Sequence, residues 1–216
     1  RERRSGAAAA AMAGEIVSRR RLSHWFSRVC AAALLGGSTL TALAAPTPVC
    51  RRSSEALVVS RERLSSVGED IYVRRRPGPA GDRACAFAPH RSDWFVGRGE
   101  PVFVLAFEGA TLALDRGTGP DRKLLIYNVV SRKRIVSTPY DDGEGRFSAT
   151  ADAMTFWKIE PGAVKPETCP AAWRDATDNR NAKRAHRTQE MRLTLADGRF
   201  APTGATGCRL TQDDVE

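Results

Sequence analysis

The side chains able to do chemistry in this 216-residue chain are few, and their spacing is loose. Two histidines, His90 and His186, and four cysteines, Cys50, Cys85, Cys169 and Cys208, lie beyond residue 45. His90 sits in Pro89-His90-Arg91-Ser92-Asp93-Trp94. A Ser-His-Asp hydrolase needs a histidine within hydrogen-bonding reach of a serine, with a carboxylate orienting the ring. No Gly-x-Ser-x-Gly elbow supplies the nucleophile. The two histidines therefore read as surface residues, with hydrolysis held as an alternative. Zinc sites draw on closely spaced cysteines, and none of the four forms a Cys-x-x-Cys pair. Asp141, Asp142 and Glu144 offer oxygens of the kind calcium takes, but their spacing departs from the EF-hand loop. A solvated acidic turn is expected there, because turns use Asp and Gly for backbone reasons. Neither a metal nor a cofactor is expected.

Basic residues offer a binding chemistry instead. Arg74-Arg75-Arg76, with Arg83, Arg91 and Arg98, makes the early region cationic, and Tyr72, His90 and Trp94 lie among them. Further along, Gly117-Thr118-Gly119-Pro120 is flanked by Arg116, Arg122 and Lys123. Successive backbone N–H groups in such a turn can form an anion-binding nest. It is not a P-loop, since no Gly-Lys-Ser/Thr follows. The candidate binding set is thus Arg74, Arg75, Arg76, His90, Arg91, Trp94, Arg116 and Arg122, facing an anionic glycan or an acidic envelope protein. The plainer alternative is a set of solvated loops and a hairpin connection.

The net charge of +9 does not by itself indicate nucleic acid. Residues 1–44 hold seven arginines against two glutamates, and the rest of the chain holds 27 basic against 23 acidic side chains, so the excess divides as +5 and +4. The first part has the order of an export leader. Residues 1–11 are low-complexity, and Met12 is the expected start. Arg19-Arg20-Arg21 and Arg28 form a basic stretch, Val29 to Leu43 is an uncharged run, and Ala42-Leu43-Ala44 is a small-residue cleavage pattern. The run is too short and too rich in small polar residues for a comfortable membrane span, which takes about 20 apolar residues. No cysteine follows a lipobox-like tripeptide at the cut. The expected organisation is an upstream segment 1–11, a signal peptide 12–44 and a single β-rich domain 45–216. It would be periplasmic or secreted, without a permanent membrane anchor or a nucleic-acid partner. An even number of remaining cysteines in an exported chain implies two disulfides with three possible connectivities. Cys50–Cys85 and Cys169–Cys208 is the favoured arrangement, since each bond would staple one end of the domain.

The elements that must position these residues are mostly strands. Val102-Phe103-Val104-Leu105-Ala106-Phe107 is a continuous apolar run expected to be buried on both faces. Thr111 to Asp115, Lys123 to Asn128, Arg134 to Thr138, Phe147 to Thr150 and Met154 to Ile159 follow as strands separated by polar and Gly-rich turns. Ile71-Tyr72-Val73 is an earlier short strand. Arg51 to Asp70 reads as irregular, with Glu55 to Leu64 long enough for a turn or two of helix. Pro161 to Arg187 reads as an excursion with a short helix between Ala171 and Arg187. Met191, Leu193 and Leu195 alternate toward Asp197-Gly198, a two-residue hairpin signal, and Arg199 to Thr203 returns. The fold class is mainly β, with about eight strands in a small antiparallel barrel or sandwich, one short helical excursion and two disulfides.

Asp115-Arg116-Gly117-Thr118-Gly119-Pro120, Leu125-Ile126-Tyr127-Asn128, Thr155-Phe156-Trp157 and Cys169-Pro170 form a series along the chain. It resembles a loose group of small uncharacterised exported bacterial proteins with a Gly-Thr-Gly-Pro turn, an Ile-Tyr-Asp strand, an aromatic strand and a late Cys pair. The resemblance spans Val102 to Cys208 and departs where Asn128 replaces the acid. It implies a Cys169–Cys208 pairing and no particular activity. The expected role is a non-catalytic binding or inhibitor module of the cell envelope, with a His-based hydrolase or a structural envelope subunit as alternatives. In the last case, Val102 to Phe107 would be an interface strand.

Overall fold

The computed structural model describes residues 46–75, 85–119, 121–165, 167–172, 174 and 184–211. Among these residues, twelve strands form two antiparallel sheets, and residues 170–172 and 174 are helical. The leader, Arg76, Arg83, Pro120 and the tail from Gln212 lie outside the described residues.

The smaller sheet has the order β1-β2-β3-β4, built from Val49–Arg52, Ala56–Glu62, Glu69–Arg75 and Trp94–Val96. Its second strand overturns the expected helix at Glu55 to Leu64. Ala56-Leu57-Val58-Val59 is an unbroken apolar run whose members are all fully buried. A strand buried on both faces needs no alternation, and the charges at Arg61 and Glu62 merely mark its exit. Ala56 and Val58 face the larger sheet, while Leu57 and Val59 join Tyr72 on the opposite face. Cys50, Phe87 and Phe95 cover that second face. The Tyr72 hydroxyl donates to the Ala86 carbonyl at 2.6 Å, and the Cys50–Cys85 disulfide closes the 35-residue connection. A crosslink of that span stabilises by about 3 to 4 kcal/mol in the chain-entropy account.

The larger sheet runs β12-β11-β10-β8-β7-β6-β5, with β9 paired to β10. Its strands are β5 (Val102–Glu108), β6 (Thr111–Arg116), β7 (Arg122–Asn128), β8 (Lys133–Tyr140), β9 (Phe147–Ala149), β10 (Ala153–Ile159), β11 (Arg184–Thr194) and β12 (Phe200–Thr211). β8 and β10 meet only at Tyr140–Lys158. Beyond that joint the sheet curls, and its inner faces enclose Ala113, Leu124, Ile126, Val136, Tyr140, Met154, Phe156, Met191 and Leu193. The outer face of β5 to β7 carries Val102, Val104, Phe107, Leu112, Leu114 and Leu125 against the smaller sheet. The architecture is the expected small barrel or sandwich, with more strands and a second sheet.

β5 is not buried on both faces as expected, whereas its neighbour β6 is. Leu112 and Leu114 face one core and Ala113 the other. β5 is an edge strand, and Phe103, Leu105 and Ala106 are only half-buried. A bulge between Val104 and Ala106 shifts its register, which is why its buried positions, 102, 104 and 107, show no simple alternation in the sequence.

The C-terminal hairpin also departs from expectation. Of the expected helix, the described residues show helix at 170–172 and 174, and residues 175–183 lie outside them; β11 starts at Arg184, seven residues before the alternating stretch that announced it. Asp197-Gly198 lies inside a five-residue loop, 195–199, in which Gly198 takes φ +69° and the Thr194 N–H donates to the Arg199 carbonyl. β12 continues to Thr211 through Pro202, Gly204 and Gly207, residues with little strand preference of their own. Their ladder to β11 and the Cys169–Cys208 disulfide, which closes 39 residues, hold them in line.

Candidate functional site

The folded chain sorts its arginines into two groups. The first is consumed by carboxylates. Arg74 leaves β3 and donates twice to Asp93, at 3.1 and 2.8 Å, and once to the Ala88 carbonyl. Asp93 is buried and also accepts from the His90 backbone N–H at 2.8 Å. Burial pushes the Asp93 carboxyl up, but the hydrogen bonds from Arg74 and the His90 N–H outweigh it and hold the group below its usual range. Arg122 forms a fork with Asp115, and that bond keeps the guanidinium charged more firmly than usual. Tyr140 packs beside this pair. Burial, reinforced by the Asp115 charge, raises its hydroxyl well above the ordinary value. Asp141 is buried and receives Arg209, Arg146 (3.3 Å) and the Gly143 N–H, while Arg209 also reaches Asp142. The acidic turn expected to be solvated is therefore half interior: it anchors β12 to the end of β8. Among the described residues, no group of three His, Cys, Asp or Glu side chains is placed to hold a metal ion.

The second group has no carboxylate partner among the described residues. Arg91 is exposed on the loop before β4, and Arg132, Lys133 and Arg134 are exposed at the β7–β8 turn. The Arg132 guanidinium donates to the Ser92 carbonyl at 3.2 Å, which brings the turn against the loop that carries His90 and Arg91. Arg132 takes φ +59° in that turn. Asn128 sets the turn's shape, its Oδ1 accepting from the Ser131 N–H and hydroxyl. The result is a basic ridge of His90, Arg91, Arg132, Lys133 and Arg134 beside the half-buried Trp94–Tyr127 edge-to-face pair, whose centroids are 5.5 Å apart.

The sequence-based candidates thus separate. His90 and Arg91 are on the ridge. Trp94 lies beside it as packing, half-buried against Tyr127. Arg75 is exposed at the end of β3, and Arg76 is outside the described residues. Arg74 and Arg122 are tied up in ion pairs, and Arg116 lies 3.4 Å from Glu100. The Gly117 turn is a hairpin connection, but Arg122 beside it is an interior ion-pair member, not a solvated flank. The sequence reading overlooked Arg132 to Arg134 as a site, although three adjacent cations in a turn were visible.

His186 is not a surface residue. It is fully buried on β11, its Nδ1 lying 3.3 Å from the Glu160 carbonyl. Its Nε2 and the hydroxyl of buried Thr188 have no hydrogen-bond partner among the described residues. Gly207 lies opposite, where an added Cβ would come within 3.0 Å of the Thr188 hydroxyl and 3.1 Å of the Trp157 ring. Neither histidine ring is hydrogen-bonded to a serine hydroxyl among the described residues.

Two open hollows adjoin β8. One, of about 250 Å³, lies between Thr111, Asn128, Ile135 and the β11–β12 loop. The other, of about 240 Å³, lies between Ile135 to Thr138, Lys158 and Phe200. Ile135 and Phe200 are each 41% exposed. No helix among the described residues is long and apolar enough to cross a membrane. No family model, curated protein or solved structure matches the chain.

Proposed function

We propose that this chain is an exported, non-catalytic binding or inhibitor module of the cell envelope, and that its basic ridge engages an anionic partner. The two disulfides fit a chain that folds outside the reducing cytosol. The observation that carries the reading is the contrast among cations. Arg74, Arg122 and Arg209 are matched to buried or half-buried acids, whereas Arg91, Arg132, Lys133 and Arg134 have no acidic partner among the described residues. Loops on a rigid scaffold are the usual carriers of contacts, and the disulfide at Cys85 and the Arg74–Asp93 fork fix this one.

Retention of the full chain on immobilised sulfated oligosaccharide, and on acidic polypeptide, tests the reading. Binding that weakens with added salt, as expected for exposed charges, and that falls by at least about tenfold in Arg91→Glu/Arg132→Glu/Arg134→Glu, an effect of ~1.4 kcal/mol, supports it. Retention that ignores salt and these substitutions rules it out.

A further inference from the structure

We infer that β8 accepts an added strand: its unpaired edge is a docking site for an extended polypeptide segment that alternates apolar and acidic residues. The inference rests on the anionic-partner reading and narrows it to a class of partner. β8 is laddered to β7 along its length, but on its other side it meets β10 only at Tyr140. From Lys133 to Thr138 that side carries no backbone ladder among the described residues, and Pro139, which has no N–H, ends the open stretch. The unpaired N–H and C=O groups of such an edge are a template for another chain.

The sheet's other exposed edges are managed differently. On β5, the Val104 N–H is taken by the Glu69 carboxylate at 3.0 Å. β12 is interrupted by Pro202 and Gly204, the latter at φ +99°. Beside β8, the open edge adjoins two hollows with the exposed apolar side chains Ile135 and Phe200. Side chains of an added strand would alternate between those hollows and solvent.

Charge selects the occupant. Lys133 and Arg134 lie on β8, Lys158 lines the hollow beside Phe200, and none of them has an acidic partner among the described residues. A second copy pairing through the same edge would bring two further cations, its own Lys133 and Arg134, and no acid, because β8 contains neither Asp nor Glu. An acidic strand meets the opposite condition.

The probe is a synthetic peptide of about eight residues, an ordinary strand length, alternating Val and Glu. It is compared with its Val/Lys counterpart, with the Val/Glu peptide N-methylated at alternate residues, and with a sulfated oligosaccharide. Amide exchange of the full chain is measured with each. The Val/Glu peptide is expected to slow exchange in β8. N-methylation removes its donors and should weaken binding by about tenfold or more, and Lys158→Glu should do the same. Phe200→Ala gives a second, uncharged reading of the hollow and is expected to weaken binding too. Equal affinity for the N-methylated or Val/Lys peptide, or protection confined to other strands, overturns the inference. If the oligosaccharide binds in a salt-sensitive way and no peptide protects β8, this inference fails while the anionic-partner reading stands. If neither probe binds, both fail.

Discussion

Arg74 and Arg91 bracket the same short stretch of chain, yet the fold treats them in opposite ways. Arg74 is fixed by three hydrogen bonds, two of them to a carboxylate whose side chain is 1% exposed. Arg91 is exposed, with no acidic partner among the described residues. The same division separates Arg122 and Arg209 from Arg132 to Arg134. A buried charge without a counter-charge is costly, so interior arginines are retained where an acid meets them. An exposed cation cluster carries no such constraint and gains little stability from any surface pair. The arginines that hold the fold and those available to a partner are therefore different residues, which makes the division testable by substitution.

The largest effect is expected at Asp115. Asp115→Ala leaves Arg122, which is 17% exposed, without its fork and removes a charge beside Tyr140. A loss of about 3 kcal/mol in chemical denaturation is expected, at the lower end of what breaking a buried pair costs. Asp93→Asn comes next, at about 2 kcal/mol, because it weakens the Arg74 fork and the bond from the His90 N–H. This site also makes a prediction for pH. The folded carboxyl sits below its usual value, so its contribution is complete above the unfolded pKa of about 3.9 and is lost as pH falls through the folded value. The stability gap between wild type and Asp93→Asn should close below about pH 4.

A smaller effect of opposite sign is expected on β11. Thr188→Val replaces a buried hydroxyl that has no partner among the described residues and should raise stability by up to about 1 kcal/mol. The smallest effect belongs to the ridge. Arg91→Glu, Arg132→Glu and Arg134→Glu should each change stability by less than about 0.5 kcal/mol while weakening retention on an anionic ligand. A ridge substitution that destabilises as strongly as Asp115→Ala would erase the division.

Much of the scaffold was legible because local signals agreed there. Between Val102 and Ile159, short apolar segments alternate with Gly-rich and charged turns, and each segment is a strand. Legibility failed where partners are remote. Gly204, Ala205 and Gly207 disfavour a strand, and the ladder from β11 with the Cys169–Cys208 disulfide carries β12 past the expected end at Thr203. Trp94-Phe95-Val96 is too short to show a period, and β2 is hidden by charges on either side. The ridge was half-visible for the same reason. Telling a free arginine from a bound one requires locating its acid, and the acid of Arg209 lies 68 residues away. The disulfides were readable from their count and placement, since each joins cysteines near one end of the domain.

The two crosslinks enclose separate stretches, residues 50–85 and 169–208, and do not overlap. A protease that nicks the chain once inside either stretch leaves a single covalent molecule, separable on a denaturing gel only after reduction. A nick between residues 86 and 168 yields two fragments whether or not a reductant is present. Digestion followed by paired reducing and non-reducing gels would therefore report where along the chain a cut had fallen.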